Sequence, residues 1–242
     1  MSGHSKWSQI KYKKSITDIK KGKIFSKLSR EISVAAREKG GDPETNPKLR
    51  LVIEKAKEFN IPKENIERAI KRGAGELEGT TLEEVIYEAY GPGGIAIMIE
   101  GITDNKNRTL SEIKNILSIH NGKLAGGGSV SYLFEKRGVI IINNEQKTTN
   151  RDELELSVIE AGAEDLKWRT DILEVYTKLE DFEKIKKSLQ EKNIIIESSS
   201  IDWVAKVEIE IDNPKIKEQL TKLFDALDEQ EDTNEIYSNF KV

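Results

Sequence analysis

Apolar residues in the first third of the chain recur at helical spacing. Phe25, Leu28, Ile32 and Ala35 stand at i, i+3, i+7 and i+10, one face of a helix that begins near Thr17 and ends at Gly40-Gly41. At about 100° per residue, Lys20, Lys23, Lys27 and Arg30 fall together on nearly the opposite face. Asn46-Pro47 predicts a second helix, with Asn as cap and Pro at the first helical position, and Leu49, Ile53 and Ala56 as its buried stripe. Pro62 opens a third, with Ile66, Ala69 and Ile70 inward and Gly73 closing it. Residues 1–16 sustain no period and predict a mobile polar arm.

Past the glycine-rich, apolar-poor stretch Gly73–Thr81, read as a linker, the period changes. Gly94–Gly101 predicts a strand. Thr109 to Ile119 predicts a helix opened by a capping box of Thr109 and Glu112 and lined by Leu110, Ile113 and Leu117. Val130–Glu135 predicts a further strand. The block from 138 to 200 then reads β-α-β-β-α-β: strand Val139–Asn143, helix Asp152–Ala161, strands Asp165–Arg169 and Ile172–Thr177, helix Asp181–Leu189, strand Ile194–Ser198. After it come a strand over Val204–Ile211, a helix capped by Asn213-Pro214 and lined by Ile216, Leu220, Phe224 and Leu227, and a strand over Glu235–Lys241. With the block removed, the flanking pieces read β-α-β-β-α-β as well. The expected fold is therefore α+β: an N-terminal three-helix domain followed by two ferredoxin-like α/β domains, one inserted into the other. The expected boundaries are 1–78 for the basic helical domain with its arm, 79–137 plus 201–242 for the outer ferredoxin-like domain, and 138–200 for the inserted one, with crossings at Glu135-Lys136-Arg137-Gly138 and Ser198–Asp202.

Charge changes this picture from structural to functional. The net charge is only −4 over 242 residues. Residues 1–75, however, hold 19 Lys+Arg against 9 Asp+Glu, a balance of 19 − 9 = +10. The remainder holds 39 − 19 = 20 basic and 43 − 9 = 34 acidic groups, a balance of −14. Such segregation suits a basic part that attracts phosphate and an acidic body that stays soluble and repels it. Within the first thirty residues Lys6, Lys11, Lys13, Lys14, Lys20, Lys21, Lys23, Lys27 and Arg30 face a single acid, Asp18. Lysines that neutralise phosphates release counterions and so bind without regard to sequence. Trp7 and Tyr12, interleaved among them, could stack on unpaired bases. The nucleic-acid-binding candidates are Lys6, Trp7, Lys11, Tyr12, Lys13, Lys14, Lys20, Lys23, Lys27 and Arg30. The competing structural reading is a solvated helix face behind a frayed terminus.

Other chemistry is thin. There are no cysteines, which excludes disulfides, thiolate nucleophiles and thiolate metal sites and fits a reducing, cytoplasmic compartment. No apolar run approaches the roughly 18 residues that span a bilayer, and Met1 to Lys6 lacks the apolar stretch of a secretory signal. Gly91-Pro92-Gly93-Gly94 and Gly126-Gly127-Gly128-Ser129 match neither phosphate-loop nor dinucleotide fingerprints and read as tight turns into strands. Thr103–Thr109 (TDNKNRT) reads equally as a binding loop on a rigid scaffold or as Asx-type turn chemistry leading into a helix cap. His4 and His120, the only histidines, have no metal-ligand spacing, and His120 reads as a helix-end residue. The expectation is a non-enzymatic protein with no cofactor, no metal, no small-molecule substrate and no membrane partner, acting as a monomer.

The strings GHSKW (Gly3–Trp7), KGKIFSKLSREI (Lys21–Ile32), GGDPETNPKLR (Gly40–Arg50), ERAIKRGAGE (Glu67–Glu76), YEAYGPGG (Tyr87–Gly94), TDNKNRT (Thr103–Thr109) and GSVSYLFEKRG (Gly128–Gly138) resemble the YebC/PmpR family. They lie in order and leave little of residues 1–138 uncovered; beyond that the likeness is one of length and pattern. Tyr12 and Ile16 depart from the His and Ala expected of the family. The resemblance implies a three-domain architecture and no catalytic residues. It also implies a probable DNA-binding transcriptional regulator, after members that bind promoter DNA. Other members, including a mitochondrial one, are translational activators acting at the ribosome, so translation regulation with ribosomal RNA as RNA-binding target is the alternative. The absence of a helix-turn-helix leaves base readout without an obvious carrier and leans toward the ribosome, whereas the family label leans toward DNA.

Overall fold

The computed structural model of the chain describes residues 18–78, 80–144 and 150–241. Among them are seven α-helices, eight strands and two four-stranded antiparallel sheets, an α+β protein with a helical N-terminal region. By compactness the chain forms two units, one from Phe134 to Val204 and the other comprising what precedes Phe134 and follows Val204.

The second of these units begins with α1 (Asp18–Lys39), α2 (Pro47–Glu58) and α3 (Lys63–Gly73). Leu28, Ile32, Ala35, Leu49, Ile53, Ala56, Ile66 and Ala69 are buried together, the faces that periodicity predicts. Asn46 caps α2 through its Oδ1, which accepts from the Leu49 N–H at 3.1 Å, while its Nδ2 donates to the carbonyls of Ala35 and Gly40. One buried amide thus closes the end of α1 and starts α2. Helices α1 and α3 approach closely: a Cβ on Gly73 would overlap the Ser33 carbonyl, and the Ser33 hydroxyl donates to the Ala69 carbonyl at 2.9 Å.

The same unit holds β1 (Glu83–Tyr90), β2 (Ala96–Thr103), α4 (Lys106–Ile119), β3 (Lys123–Ala125), α7 (Pro214–Glu229) and β8 (Thr233–Ser238), with strand order β3-β1-β2-β8. Ala89, Ile97, Ile99 and Ile236 of the sheet pack with Ile113 and Leu117 of α4 and Leu220, Phe224 and Leu227 of α7. The element order differs in detail from the sequence reading. Strand β1, whose Glu and Ala residues hide a β signal, stands in front, paired to β2 from Glu83↔Thr103 to Tyr90↔Ala96. Ser131–Leu133 form a short 3-10 turn rather than a strand, and beyond Ala205 the stretch to 211 contributes only an isolated bridge from Ile209 to Phe240. Helix α4 starts three residues before the expected cap: Asn105 is its N-cap, accepting from the Arg108 N–H, and Thr109 lies inside it, fully buried.

The unit from Phe134 to Val204 contains β4 (Phe134–Asn143), α5 (Arg151–Glu160), β5 (Asp165–Arg169), β6 (Ile172–Thr177), α6 (Phe182–Glu191) and most of β7 (Ile196–Ala205). Its strand order, β5-β6-β4-β7, is that of a ferredoxin-like β-α-β-β-α-β sheet. It extends beyond 138–200 at both ends because β4 and β7 are single uninterrupted strands, so the two stretches expected to be crossings lie within strands. The pairs Ile140↔Val175 and Ile142↔Leu173 are buried, as are Leu154 and Val158 of α5 and Phe182, Ile185 and Leu189 of α6. Gly138 is required where β4 meets α6, since a Cβ there would overlap the Phe182 ring and the Thr177 hydroxyl. Gly138→Ala is therefore expected to destabilise this unit by about 1–3 kcal/mol. Urea unfolding followed by tryptophan emission checks this, because Trp168 and Trp203 both lie in the unit; an unshifted midpoint would show that the strand gives way freely.

Candidate nucleic-acid interface

Of the ten residues expected to contact nucleic acid, Lys6, Trp7, Lys11, Tyr12, Lys13 and Lys14 lie outside the described residues, as does the side chain of Lys20. Lys23, Lys27 and Arg30 do share one face of α1, as the spacing predicts, and that face is turned to acids of the same chain. Lys23 pairs with Glu229. Lys27 Nζ donates to the Asp228 carbonyl at 2.6 Å and lies 3.3 Å from its carboxylate. Arg30 Nη1 donates to Asp232 Oδ1 at 2.7 Å. Helix periodicity can group lysines on a face but cannot say whether water, phosphate or the protein's own carboxylates will meet it.

Asp232 is the centre of this contact. Its side chain is only 3% exposed and takes Arg30 from α1, Arg108 Nη2 at 2.8 Å and the Thr109 hydroxyl at 2.7 Å from α4. Arg108 also reaches Asp104 at 3.0 Å, and Asn105 N–H donates to the Thr103 hydroxyl. The polar string TDNKNRT is thus largely consumed by turn chemistry, a helix cap and a buried ion network. Burial alone would raise the Asp232 pKa. The hydrogen bonds from Arg108, Thr109 and Arg30, with the charge of Arg108, outweigh it and hold the carboxyl below its ordinary value.

A second buried carboxylate organises the glycine-rich loop. Glu88 on β1 accepts from the backbone N–H groups of Gly128 at 2.7 Å, Val130 at 2.6 Å and Ser131 at 3.0 Å. Burial opposes its charge, yet the three N–H donors prevail and lower its pKa. The loop that could have cradled a phosphate is already filled by this carboxylate, so it serves as a turn.

Four cations at the other end of the helices have no such partner among the described residues. Arg37 and Lys39 stand in the last turn of α1, and Lys71 and Arg72 in the last turn of α3. An open cleft of about 520 Å³ lies between those two helix ends and the segment leading to β1; Arg37 and Arg72 line it together with Val34, Leu77, Thr81 and Leu82. Sequence reasoning passed over both arginines because it weighed the dense first thirty residues and not the convergence of two helix ends. Among the described residues no group of three or more His, Asp or Glu could hold a metal ion, and no helix is long and apolar enough to cross a membrane.

A basic helical region together with an α+β body that includes a ferredoxin-like unit defines a class of multidomain architecture. Comparison places the chain within it. The TACO1/YebC protein N-terminal domain matches residues 5–76, and the TACO1/YebC second and third domain matches residues 82–240. The chain belongs to the TACO1/YebC family. A relative from Halothermothrix orenii is 49% identical across all of this chain and 96% of its own length, and one from Dictyoglomus turgidum is 48% identical with the same coverage; both are named probable transcriptional regulatory protein. The crystal structure of a conserved hypothetical protein from Aquifex aeolicus, 45% identical, superposes with a TM-score of 0.88 over 98% of this chain and 97% of its own.

Replacing Asp232 with Asn leaves Arg30 and Arg108 without their shared anion. Asp232→Asn is expected to lower stability by about 1.5–3 kcal/mol at pH 7, the worth of a hydrogen bond to a charged group. Because the folded pKa lies below the ordinary 3.8, this stabilisation is complete above that value and is lost as pH falls through the folded pKa. Urea unfolding at pH 7 and pH 3 should therefore show a wild-type–variant gap that narrows in acid; a gap independent of pH would show that the carboxylate's charge is not what matters.

Proposed function

We propose that this protein is a non-enzymatic regulator of gene expression that binds nucleic acid through its N-terminal basic region, with DNA as the target. The observation that carries the reading is the charge segregation, +10 over residues 1–75 against −14 over the rest. The structure adds a distinction within that charge. The α1 cations Lys23, Lys27 and Arg30 are neutralised from inside, whereas Arg37 and Arg72 face an open cleft. Relatives at 46–49% identity, named probable transcriptional regulatory proteins, support a role in transcription regulation. The acidic body would then limit indiscriminate coating of nucleic acid and leave the basic end to make contact.

A second reading is favoured by one feature of the geometry. Lys23, Lys27 and Arg30 are turned to Asp228, Glu229 and Asp232, so these three cations of α1 are not free to lie along a duplex groove. The aromatic-bearing arm around Trp7 and Tyr12 then suits unpaired bases of a folded RNA, and the ribosome becomes the target of a translation factor.

Changing Lys11, Lys13 and Lys14 to Gln in the full chain should weaken binding to DNA and RNA and flatten the salt dependence by about 0.7–0.9 per lost phosphate contact. An unchanged slope would remove the arm from the interface. Crosslinking in cells with sequencing of recovered DNA and RNA separates the targets: promoter peaks support the DNA regulator, and enrichment at one ribosomal RNA locus supports the translation factor.

A further inference from the structure

We propose that the cleft between the C-terminal ends of α1 and α3 is a nucleotide subsite, which seats one unpaired nucleotide of a bound strand with its phosphates on Arg37 and Arg72. The inference rests on the nucleic-acid reading above and gives it a second, separate point of contact.

The first support is electrostatic. Several other cations of the helical region have acidic partners: Lys23 with Glu229, Arg30 with Asp232, Lys48 with Glu38 and Glu84, Lys55 with Glu31 and Glu235. No Asp or Glu lines the cleft, and neither Arg37 nor Arg72 has an ion pair or hydrogen bond among the described residues. Glu83 is near enough for Arg37 to help lower its pKa, but its carboxylate bonds first to Lys106. A last-turn arginine complements the helix dipole, which accounts for either residue singly. It does not account for two guanidiniums on one cleft with no anion between them. Two such planar forks match phosphate oxygens in geometry as well as charge.

The second support is the rest of the lining. Leu77 and Leu82 provide apolar wall, with Leu77 43% exposed, and Thr80 and Thr81 bring hydroxyls. An amphipathic wall beside a cationic rim fits a base joined to a phosphate better than a bare inorganic anion. The volume, about 520 Å³, falls within the roughly 300–1,000 Å³ of ligand pockets. The walls are fixed by the close crossing at Ser33 and Gly73, so the site is formed before anything binds.

The test uses the full chain, the Arg37→Ala/Arg72→Ala pair, and the Lys11/Lys13/Lys14→Gln variant, titrated with a labelled 12-nucleotide single strand and with AMP. Both arginines are exposed, so thermal melting should be unchanged and a binding defect is not unfolding. The expected result is a tenfold or greater loss of affinity for the strand in the arginine pair, with a salt slope shallower by about 1.4 for two phosphate contacts on a single strand. Saturable AMP binding that the pair abolishes would support the cleft with a free nucleotide as its source; strand binding without an AMP response assigns the polymer. If the arginine pair binds like wild type while the lysine variant is weakened, the cleft proposal fails and the nucleic-acid reading stands. If wild type binds no nucleic acid and no AMP, both fail.

Discussion

One carboxylate, Asp232, ties together three elements remote in sequence. Arg30 reaches it from α1, Arg108 and Thr109 from α4, and its own backbone carbonyl accepts from the Ile102 N–H of β2 at 2.8 Å. A buried anion without such partners would be strongly unfavourable, and two guanidiniums without it would lose their common neutraliser. The arrangement therefore specifies a placement of the first helix against the sheet that apolar contact alone would leave free to slide. Gln230 reinforces it, its Oε1 accepting from the N–H groups of Asp232 and Thr233, so the turn between α7 and β8 is held in the shape that presents the carboxylate.

That constraint reassigns the charge of the N-terminal region. Lys23, Lys27 and Arg30 look like phosphate contacts when counted along the chain, yet their anions come from residues 228–232. More exposed pairs such as Lys48 with Glu38 and Glu84 add little stability, because water and salt screen them. Arg37 and Arg72 are among the charges that no carboxylate pairs with in the described residues, and they stand where the last turns of α1 and α3 converge. A basic total is thus divided between holding the fold together and facing outward, and only the three-dimensional pairing makes the division visible.

Local signals in the sequence were reliable where the responsible interaction is itself local. The Asn46-Pro47 and Asn213-Pro214 caps, the apolar stripe Leu28-Ile32-Ala35, and strands β5 and β6 all follow from neighbours a few residues apart. The failures are non-local. Thr109 carries the composition of a cap, but its hydroxyl is drawn inward by Asp232, 123 residues away, and Asn105 takes the capping role. Strand β1 has no clean alternation because Ile86 and Tyr90 stand exposed on the face opposite Val85 and Ala89, and Glu88 beside them points its carboxylate at the backbone of the loop 128–131. The glycines of that loop read correctly as a turn, while the anion that shapes it was invisible.

The same limit governs the candidate site. A dense run such as Lys11-Tyr12-Lys13-Lys14 is legible in one dimension because its residues are adjacent. Arg37 and Arg72 are thirty-five positions apart, each an ordinary last-turn cation in its own helix, and no window along the chain joins them. They meet because Ser33, Ala69 and Gly73 are small enough to let α1 and α3 cross closely, which brings the two helix ends to one opening. The residue types that permit the crossing carry no binding chemistry themselves. They set the distance at which two separately unremarkable arginines become a pair.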